Sequence, residues 1–172
     1  MATEFSFEHV FQAPSLTVRT VLEAYFDPDH LATQDKIAEL GDRQVVESRE
    51  DDAVKSCTWT VRSLRQLPVF VRPFIEGGRL GYLDQMTWRK AADEIDMVIT
   101  PQIASGRVKI TALYQLTQVG EGRVRRRYAG TINVNVALLS GKIERAILNE
   151  MEKGMPKMAE CTQQWLLERS AR

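Results

Sequence analysis

Residues 107–136 read RVKITALYQLTQVGEGRVRRRYAGTINVNV and are the part of the sequence that says most about architecture. Two runs of alternating polar and apolar residues, 107–119 and 123–136, flank the turn residues Gly120-Glu121-Gly122. Alternation with a period of two is typical of strands that bury one face, and a short connection containing glycine predicts an antiparallel hairpin. This part of the chain is therefore predicted to form a sheet with one buried face.

The same alternation of polar and apolar residues extends upstream to about Asp42. Four further alternating runs are separated by turn signals at 50–52, 92–93 and 105–106, and they cover residues 43–50, 53–64, 79–91 and 94–102. Six consecutive strands joined mostly by tight turns predict an antiparallel meander. The only irregularity that the pattern suggests is a bulge at Ala129-Gly130, beyond which inward and outward positions would exchange.

A seventh strand opens the chain. In TEFSFEHVFQ (3–12), Phe5, Phe7, His9 and Phe11 fall on one side and polar residues on the other, which predicts a strand with one buried face.

Helical patterns lie on either side of the meander. APSLTVRTVLEAYFD (13–27) predicts a short helix that starts at Pro14, and DPDHLATQDKIAEL (27–40) predicts a second that stops at Gly41. Residues 138–169 predict one long C-terminal helix with a possible bend at Pro156. Its apolar stripe consists of Ile143, Ile147, Met151, Met155 or Gly154, Met158, Cys161 or Thr162, and Trp165.

Together these elements predict an α+β helix-grip fold, with a curled seven-stranded antiparallel sheet around the C-terminal helix. This order, with FQAPSLTVRTVLEAYFDPDHL (11–31) at the first strand-to-helix junction, resembles the START-like superfamily, which includes polyketide cyclases and the birch-pollen-allergen group. The resemblance spans the whole chain, favours a bacterial branch of unknown function and carries no diagnostic catalytic motif. It implies one START-like domain over residues 1–172 and a lipid-like or aromatic ligand between sheet and helix.

Composition narrows the function classes. The 172 residues carry 23 basic and 23 acidic side chains, so the chain has no net charge. Its overall charge therefore gives no reason to expect nucleic acid as a partner. No apolar run approaches the roughly 20 residues of a membrane-spanning helix, and the start of the chain reads unlike a secretory leader, so we predict a cytoplasmic protein. Cys57 and Cys161 are predicted to be buried thiols rather than a disulfide.

Residues with catalytic or metal-binding chemistry are few. His9 and His30 are the only histidines, no Cys/His cluster is present, and phosphate-binding and serine-hydrolase motifs are missing, so we expect neither metal nor cofactor. His9 is interpreted as a core or cavity-wall histidine that would anchor the polar end of a ligand if it is functional. His30 is expected on the surface.

The run Arg123, Arg125, Arg126, Arg127 is divided by strand geometry. Arg126 falls on the face of Val124 and Tyr128, opposite the other three arginines, which we expect on a solvated face. A buried Arg126 needs an anionic partner, either a carboxylate such as Asp84 or a ligand carboxylate or phosphate.

Methionine and aromatic side chains supply the rest of the predicted site. The helix methionines fit ordinary core packing or a wall that adapts to varied apolar ligands. The predicted ligand-binding residues are His9, Phe70, Phe74, Tyr82, Asp84, Trp88, Tyr114, Arg126, Tyr128, Met151, Met155 and Met158.

LPVFVRPFIEGG (67–78) is an apolar segment that Pro68 and Pro73 keep out of regular structure, so it predicts a loop or a single helical turn. Phe70 and Phe74 would form either a lid over the cavity, able to touch a membrane or a donor protein, or a permanent plug. Both interpretations remain open.

These observations favour binding or carriage of an apolar small molecule or lipid without catalysis. One alternative is a cyclase- or hydrolase-like enzyme that uses two or more of His9, Asp84, Tyr114, Arg126 and Tyr128 as acid or base groups. The other is an interaction module that docks through residues 67–75 as an exposed apolar patch.

Overall fold

A computed structural model describes residues 2–172, apart from the side chain of Glu76. The seven strands form one antiparallel sheet in the order β1-β7-β6-β5-β4-β3-β2, so the meander follows the chain and β1 closes against the last strand. The strands are β1 Ala2–Gln12, β2 Leu40–Glu50, β3 Val54–Ser63, β4 Gly81–Arg89, β5 Glu94–Pro101, β6 Val108–Gly120 and β7 Arg123–Val134.

Three helices complete the fold. Helices α1 (Val18–Ala24) and α2 (Pro28–Ala38) connect β1 to β2, and the 31-residue α3 (Ser140–Ser170) follows β7 and runs through Pro156. This arrangement confirms the predicted helix-grip fold and element order. No helix among the described residues is both long enough and apolar enough to cross a bilayer.

The ends of the short helices differ from the sequence prediction. Pro14 lies in a turn before α1, and Thr17 caps that helix by accepting a hydrogen bond from the Thr20 amide at 3.3 Å. Helix α2 ends at Glu39, which adopts the left-handed conformation at φ 54° and takes the capping position predicted for glycine. Gly41 consequently lies within β2, which begins earlier than the alternating pattern suggested.

The register of the sheet brings the predicted inward residues into rows on the concave face. Tyr128 of β7 lies between Phe7 of β1 and Tyr114 of β6, and the row continues through Ile95 to Trp88. A neighbouring row carries Arg126 opposite His9 and Leu116. Arg123, Arg125 and Arg127 are exposed on the convex face, as predicted.

No bulge interrupts the described β7 at Ala129-Gly130, because both neighbouring strands pair with these residues in continuous register. Gly130 is required for another reason: a Cβ atom there would lie 2.0 Å from the Thr111 carbonyl oxygen. The prediction of a bulge was wrong, since glycine serves a close approach between strands. Inward and outward positions therefore keep one phase along β7.

Helix α3 crosses the concave side and packs most closely on α2, β1 and β7. Its two ends are buried, at Ile143 and Glu144 near the start and at Ala159, Thr162 and Leu166 near the end. Cys57 and Cys161 are free and buried, which confirms the predicted thiols.

Candidate ligand-binding site

The middle of the concave face is incompletely covered. Met97 and Ile99 of β5 and Ala112 of β6 point to the inside from the centre of the sheet, yet all three are only half-buried. Inward side chains at the centre of a close-packed core are fully buried, as Ile95 and Ile132 are here at 0% exposure. Solvent-sized space therefore reaches the inner side of these two strands.

The facing part of α3 shows the same incomplete burial. Ile147, Leu148, Met151 and Met155 contact the core but are half-buried, in contrast with the buried ends of the helix. The middle of the helix is thus less completely covered than its two ends. We call the space between these helix residues and Met97, Ile99 and Ala112 the central hollow.

An aromatic stack forms one wall of this region. Tyr25, at the end of α1, stacks on Tyr114 with ring centroids 4.8 Å apart, and Tyr114 stacks on Tyr128 at 4.4 Å. Burial raises the pKa of the Tyr114 and Tyr128 hydroxyls, so both are neutral hydrogen-bonding groups at physiological pH. The stack presents polar atoms in otherwise apolar surroundings.

Arg126 lies against this stack and is 2% exposed. Its Nη1 donates to the Tyr25 hydroxyl at 2.8 Å, and its guanidinium carbon is 5.2 Å from the Phe11 ring centroid and 5.6 Å from that of Tyr114. Its Nε has no hydrogen-bond partner among the described residues. Arg126 is thus a buried cation held by a phenol and two aromatic faces.

Asp84, one of the partners considered for Arg126, pairs instead with Arg43 of β2. Arg43 Nη1 donates to Asp84 at 3.1 Å, and its Nε and Nη2 both donate to Asp35 of α2 at 2.7 Å. Burial raises the pKa of Asp84, and its Oδ1 has no partner among the described residues. Of the two alternatives given for Arg126, the structure therefore contradicts the one with Asp84, because β2 brings a second arginine to that carboxylate.

The remaining predicted residues on the sheet are spread along it. His9 is half-buried beside Phe11, and burial, followed by the nearby charge of Arg126, lowers its pKa. Trp88 is 3% exposed and stacks with Phe26 of the α1–α2 connection. Tyr82 is half-buried, and burial raises its pKa.

Of the three methionines on α3, Met151 and Met155 contact the core around the central hollow. Met158 is half-buried, and its carbonyl oxygen accepts hydrogen bonds from Gln34 and Thr162. The structure therefore groups Tyr114, Arg126 and Tyr128 in one cluster and places the other predicted residues around it.

The segment 67–78 is irregular and contains two single 3-10 turns, as its prolines predicted. Val71 is buried, whereas Phe70 and Phe74 are half-buried against the core. Lys142 Nζ lies 4.3 Å from the Phe70 ring centroid and joins the segment to the start of α3. Half-burial of both phenylalanines argues against their presentation as a free docking patch.

A groove of about 550 Å³ opens beside the central hollow. It lies between the end of α2, the segment after β3 and the middle of α3, and its lining includes Gly154, the neighbour of Met155. Arg65 spans this groove, pairing with Glu39 at 2.7 Å and with Glu150 of α3. One side chain therefore links three elements across the groove.

His30 is fully buried, so its predicted surface position was wrong. Its Nε2 lies 2.9 Å from the Thr162 hydroxyl, and Gln34 donates to the same hydroxyl at 2.8 Å, because α2 packs this face on α3. Burial lowers the pKa of His30 to about 4.

Among residues 2–172, no group of three or more His, Cys, Asp or Glu side chains is arranged to hold a metal ion.

Sequence reasoning missed three residues of the site: Tyr25, Arg43 and Asp35. Tyr25 lies on the apolar stripe of α1, which was a usable signal for an inward position. Arg43 and Asp35 gave no signal, because their pairing depends on how β2 crosses the concave face after α2.

Comparison with known proteins agrees with this architecture. A family model described as "Protein of unknown function (DUF2505)" matches residues 8–166. The chain belongs to the DUF2505 family. No curated protein matches the sequence of this DUF2505 member.

Solved structures with a similar fold share little sequence with this DUF2505 protein. The Zhui aromatase/cyclase from Streptomyces sp. R1128 superposes with a TM-score of 0.60 at 10% identity, over 100% of this chain and 95% of that one. Ara h 8.0201 superposes with a TM-score of 0.62 at 12% identity, over 96% of this chain and 98% of that one. A START superfamily protein from Mycobacterium smegmatis superposes with a TM-score of 0.56 at 10% identity, over 91% of this chain and 97% of that one. These likenesses confirm the predicted START-like fold.

Proposed function

We propose that this DUF2505 protein binds an apolar small molecule or lipid in the central hollow, without itself catalysing a reaction. The observation that carries the proposal is the half-burial of Met97, Ile99 and Ala112 opposite the half-buried middle of α3. Apolar surface left facing an internal space is unfavourable, and an apolar ligand would remove it from water at about 25 cal/mol per Å². The similar folds of an aromatase/cyclase and a START superfamily protein agree with this proposal.

The composition of the walls supports a broad rather than a narrow ligand range. Met97, Met151 and Met155 line the hollow together with branched aliphatic side chains. Thioether side chains are flexible and polarisable, so they adapt to ligands of different shape. The polar cluster around Arg126 would set the orientation of the bound molecule.

Exchange of the ligand would take place at the end of the sheet that carries residues 67–78. Val69 and Leu138 are exposed there, at 74% and 103%. The loops at this end are joined by the Ile75–Ile103 bridge and by the contact of Lys142 with Phe70. Exposed basic side chains lie in the loops and the first turns of α3 at this end, namely Arg72, Arg79, Arg107, Lys142 and Arg145.

This surface fits transient contact with an anionic bilayer. The whole chain is neutral, so the cluster of basic residues is a local feature rather than a consequence of composition. Basic side chains near an anionic membrane contribute about 1 kcal/mol each, and exposed apolar residues can insert among the lipids. Sedimentation with phosphatidylserine vesicles should exceed that with phosphatidylcholine vesicles and fall in the Val69→Asp/Leu138→Asp double variant. Equal sedimentation with both lipids would contradict membrane contact.

Native mass spectrometry of the purified protein, together with titration of the neutral apolar probe N-phenyl-1-naphthylamine, tests the binding function. We expect either an additional apolar mass that is lost on denaturation or, after extraction of that mass, saturable enhancement of probe fluorescence. A protein that shows the bare mass alone and fails to enhance the probe would refute the proposal.

A further inference from the structure

The ligand class follows from the surroundings of Arg126, on the assumption that the central hollow binds an apolar molecule as proposed above. Arg126 is 2% exposed and forms no ion pair within the described part of the chain. An isolated charge in an apolar interior is strongly unfavourable unless an opposite charge or several hydrogen bonds accompany it. Among the described residues, the phenolic oxygen of Tyr25 is the one acceptor that the Arg126 guanidinium reaches.

Asp84, the carboxylate that was considered as a partner for Arg126, is already paired. Asp84 accepts from Arg43, which also binds Asp35 through two hydrogen bonds. The charges on the inner side are therefore unevenly paired: two carboxylates bind Arg43, while no carboxylate binds Arg126. One negative charge beside Arg126 would neutralise it.

We propose that the bound molecule is an apolar carboxylic acid whose carboxylate pairs with Arg126. Tyr25 occupies Nη1, whereas Nε is buried and has no hydrogen-bond partner among the described residues, so its N–H is the donor that still needs an acceptor. The side of the guanidinium that carries Nε suits a carboxylate, which accepts two parallel N–H bonds from arginine. The stacked rings of Tyr114 and Tyr128 lie between Arg126 and Ala112 along β6 and β7.

The charge of the site favours a carboxylate over a phosphate. A phosphate monoester carries about two negative charges near neutral pH and would require a second cation. The other titratable group facing Arg126 from β1 is His9, whose pKa is lowered, and His30 behind Tyr25 also has a lowered pKa. Both histidines are neutral at pH 7, so Arg126 supplies one positive charge alone.

Displacement of N-phenyl-1-naphthylamine by dodecanoate and by dodecanol tests this assignment. Dodecanol cannot form the hydrogen-bonded charge pair with Arg126, so dodecanoate should bind roughly tenfold or more tightly than dodecanol. In Arg126→Met the ratio of the two affinities should fall to near one, and Arg126→Lys should restore part of it. Arg127→Met, on the exposed convex face, is the matched control and should keep the wild-type ratio.

The outcomes separate this inference from the binding function. If neither compound displaces the probe and the probe itself does not bind, the binding function fails. If dodecanol binds as tightly as dodecanoate, or dodecyl phosphate binds more tightly than both, the binding function stands and the carboxylate assignment is wrong.

A measurement on the wild-type protein covers the case in which the Arg126 variants do not fold. Bound dodecanoate labelled with ¹³C at the carboxyl carbon can be titrated by NMR. Beside a buried guanidinium the carboxyl pKa should fall below that of the same acid in water. A raised carboxyl pKa in the complex would overturn the assignment, since it would place the headgroup in apolar surroundings without a cation.

Discussion

Arg43 donates to Asp84 at 3.1 Å while its other two nitrogens hold Asp35 at 2.7 Å, so a single guanidinium serves two carboxylates beneath the sheet. The three groups carry one net negative charge when all are ionised. Asp84 accepts one hydrogen bond from the arginine whereas Asp35 accepts two, and burial raises the pKa of Asp84. It is therefore the member whose ionisation costs folding free energy.

Asp84→Asn should gain stability relative to wild type as pH rises. A carboxyl whose pKa is raised on folding stabilises the protein below its usual pKa of 3.8, and this contribution is lost as pH rises through the folded value. Asparagine keeps the shape and stays neutral, so the free energy of unfolding of the variant minus that of wild type should increase between about pH 4 and about pH 7. Urea unfolding at several pH values measures this difference.

Asp96→Asn is the matched control, because Asp96 pairs with Arg89 on the exposed side of the sheet. It should show little pH-dependent difference. Should Asp84→Asn instead destabilise most at neutral pH, the Arg43–Asp84 pair would be a net stabilising ion pair and the account of its burial would be wrong.

His30→Gln should remove a loss of stability that wild type suffers on acidification. The folded pKa of His30 is lowered from 6.5 to about 4, so its contribution is present above pH 6.5 and is lost as pH falls through the folded value. That shift corresponds to roughly 3 kcal/mol. Urea unfolding between about pH 7 and about pH 4 should show this loss in wild type and a much smaller one in the variant.

His9→Gln provides the comparison for His30, because His9 is the only other histidine and is half-buried. Its substitution should change the pH dependence far less. Equal acid sensitivity of wild type and His30→Gln would show that the buried His30–Thr162 contact does not determine stability at low pH.

Arg65→Met should speed ligand release with little effect on stability. The ion pairs of Arg65 with Glu39 and Glu150 are partly exposed, and such pairs contribute about 0–1 kcal/mol. They nevertheless join α2 and α3 across the groove beside the central hollow. Stopped-flow release of a bound probe should become faster, whereas Arg19→Met, which breaks an exposed pair within α1, should leave it unchanged. An unaltered release rate in Arg65→Met would show that these ion pairs do not limit ligand release.

Phe70→Ser/Phe74→Ser distinguishes a lid from a plug. Truncation of a fully buried phenylalanine costs about 3–5 kcal/mol, but both residues are half-buried, so a lid should lose less than this while retaining the probe more weakly. Thermal unfolding and probe affinity of the double variant test the two interpretations, with Val69→Ser as the exposed control. A large loss of stability with unchanged probe binding would identify the segment as a plug.

Much of the fold was predictable because its signals are local. Alternation along each strand fixes which side chains share a face, and the short turns fix the antiparallel order, so Tyr114, Arg126 and Tyr128 were placed together from their positions in two adjacent strands. The apolar stripe on the last helix likewise identified its inner side. These features depend on neighbours a few residues away.

The errors concern contacts between distant segments. His30 looks exposed beside Asp29, yet α2 presses it against Thr162 of α3, 132 residues later. The partner of Asp84 depends on the crossing of β2, which brings Arg43 to it. Gly130 suggested a bulge, but the backbone of the adjacent strand at Thr111 requires the absence of a Cβ. No local pattern encodes these relationships.

The central hollow itself is tested most directly by filling it. Ala112 points into the hollow and is half-buried, whereas Ala159 of α3 is 2% exposed in packed surroundings. Ala112→Leu should retain or raise stability, because each buried methylene contributes about 0.8 kcal/mol, and should weaken N-phenyl-1-naphthylamine binding roughly tenfold by occupying its space. Ala159→Leu should cost about 1–3 kcal/mol through overpacking. If Ala112→Leu is destabilised as much as Ala159→Leu and binds the probe like wild type, no hollow exists at that position and the proposed binding site is wrong.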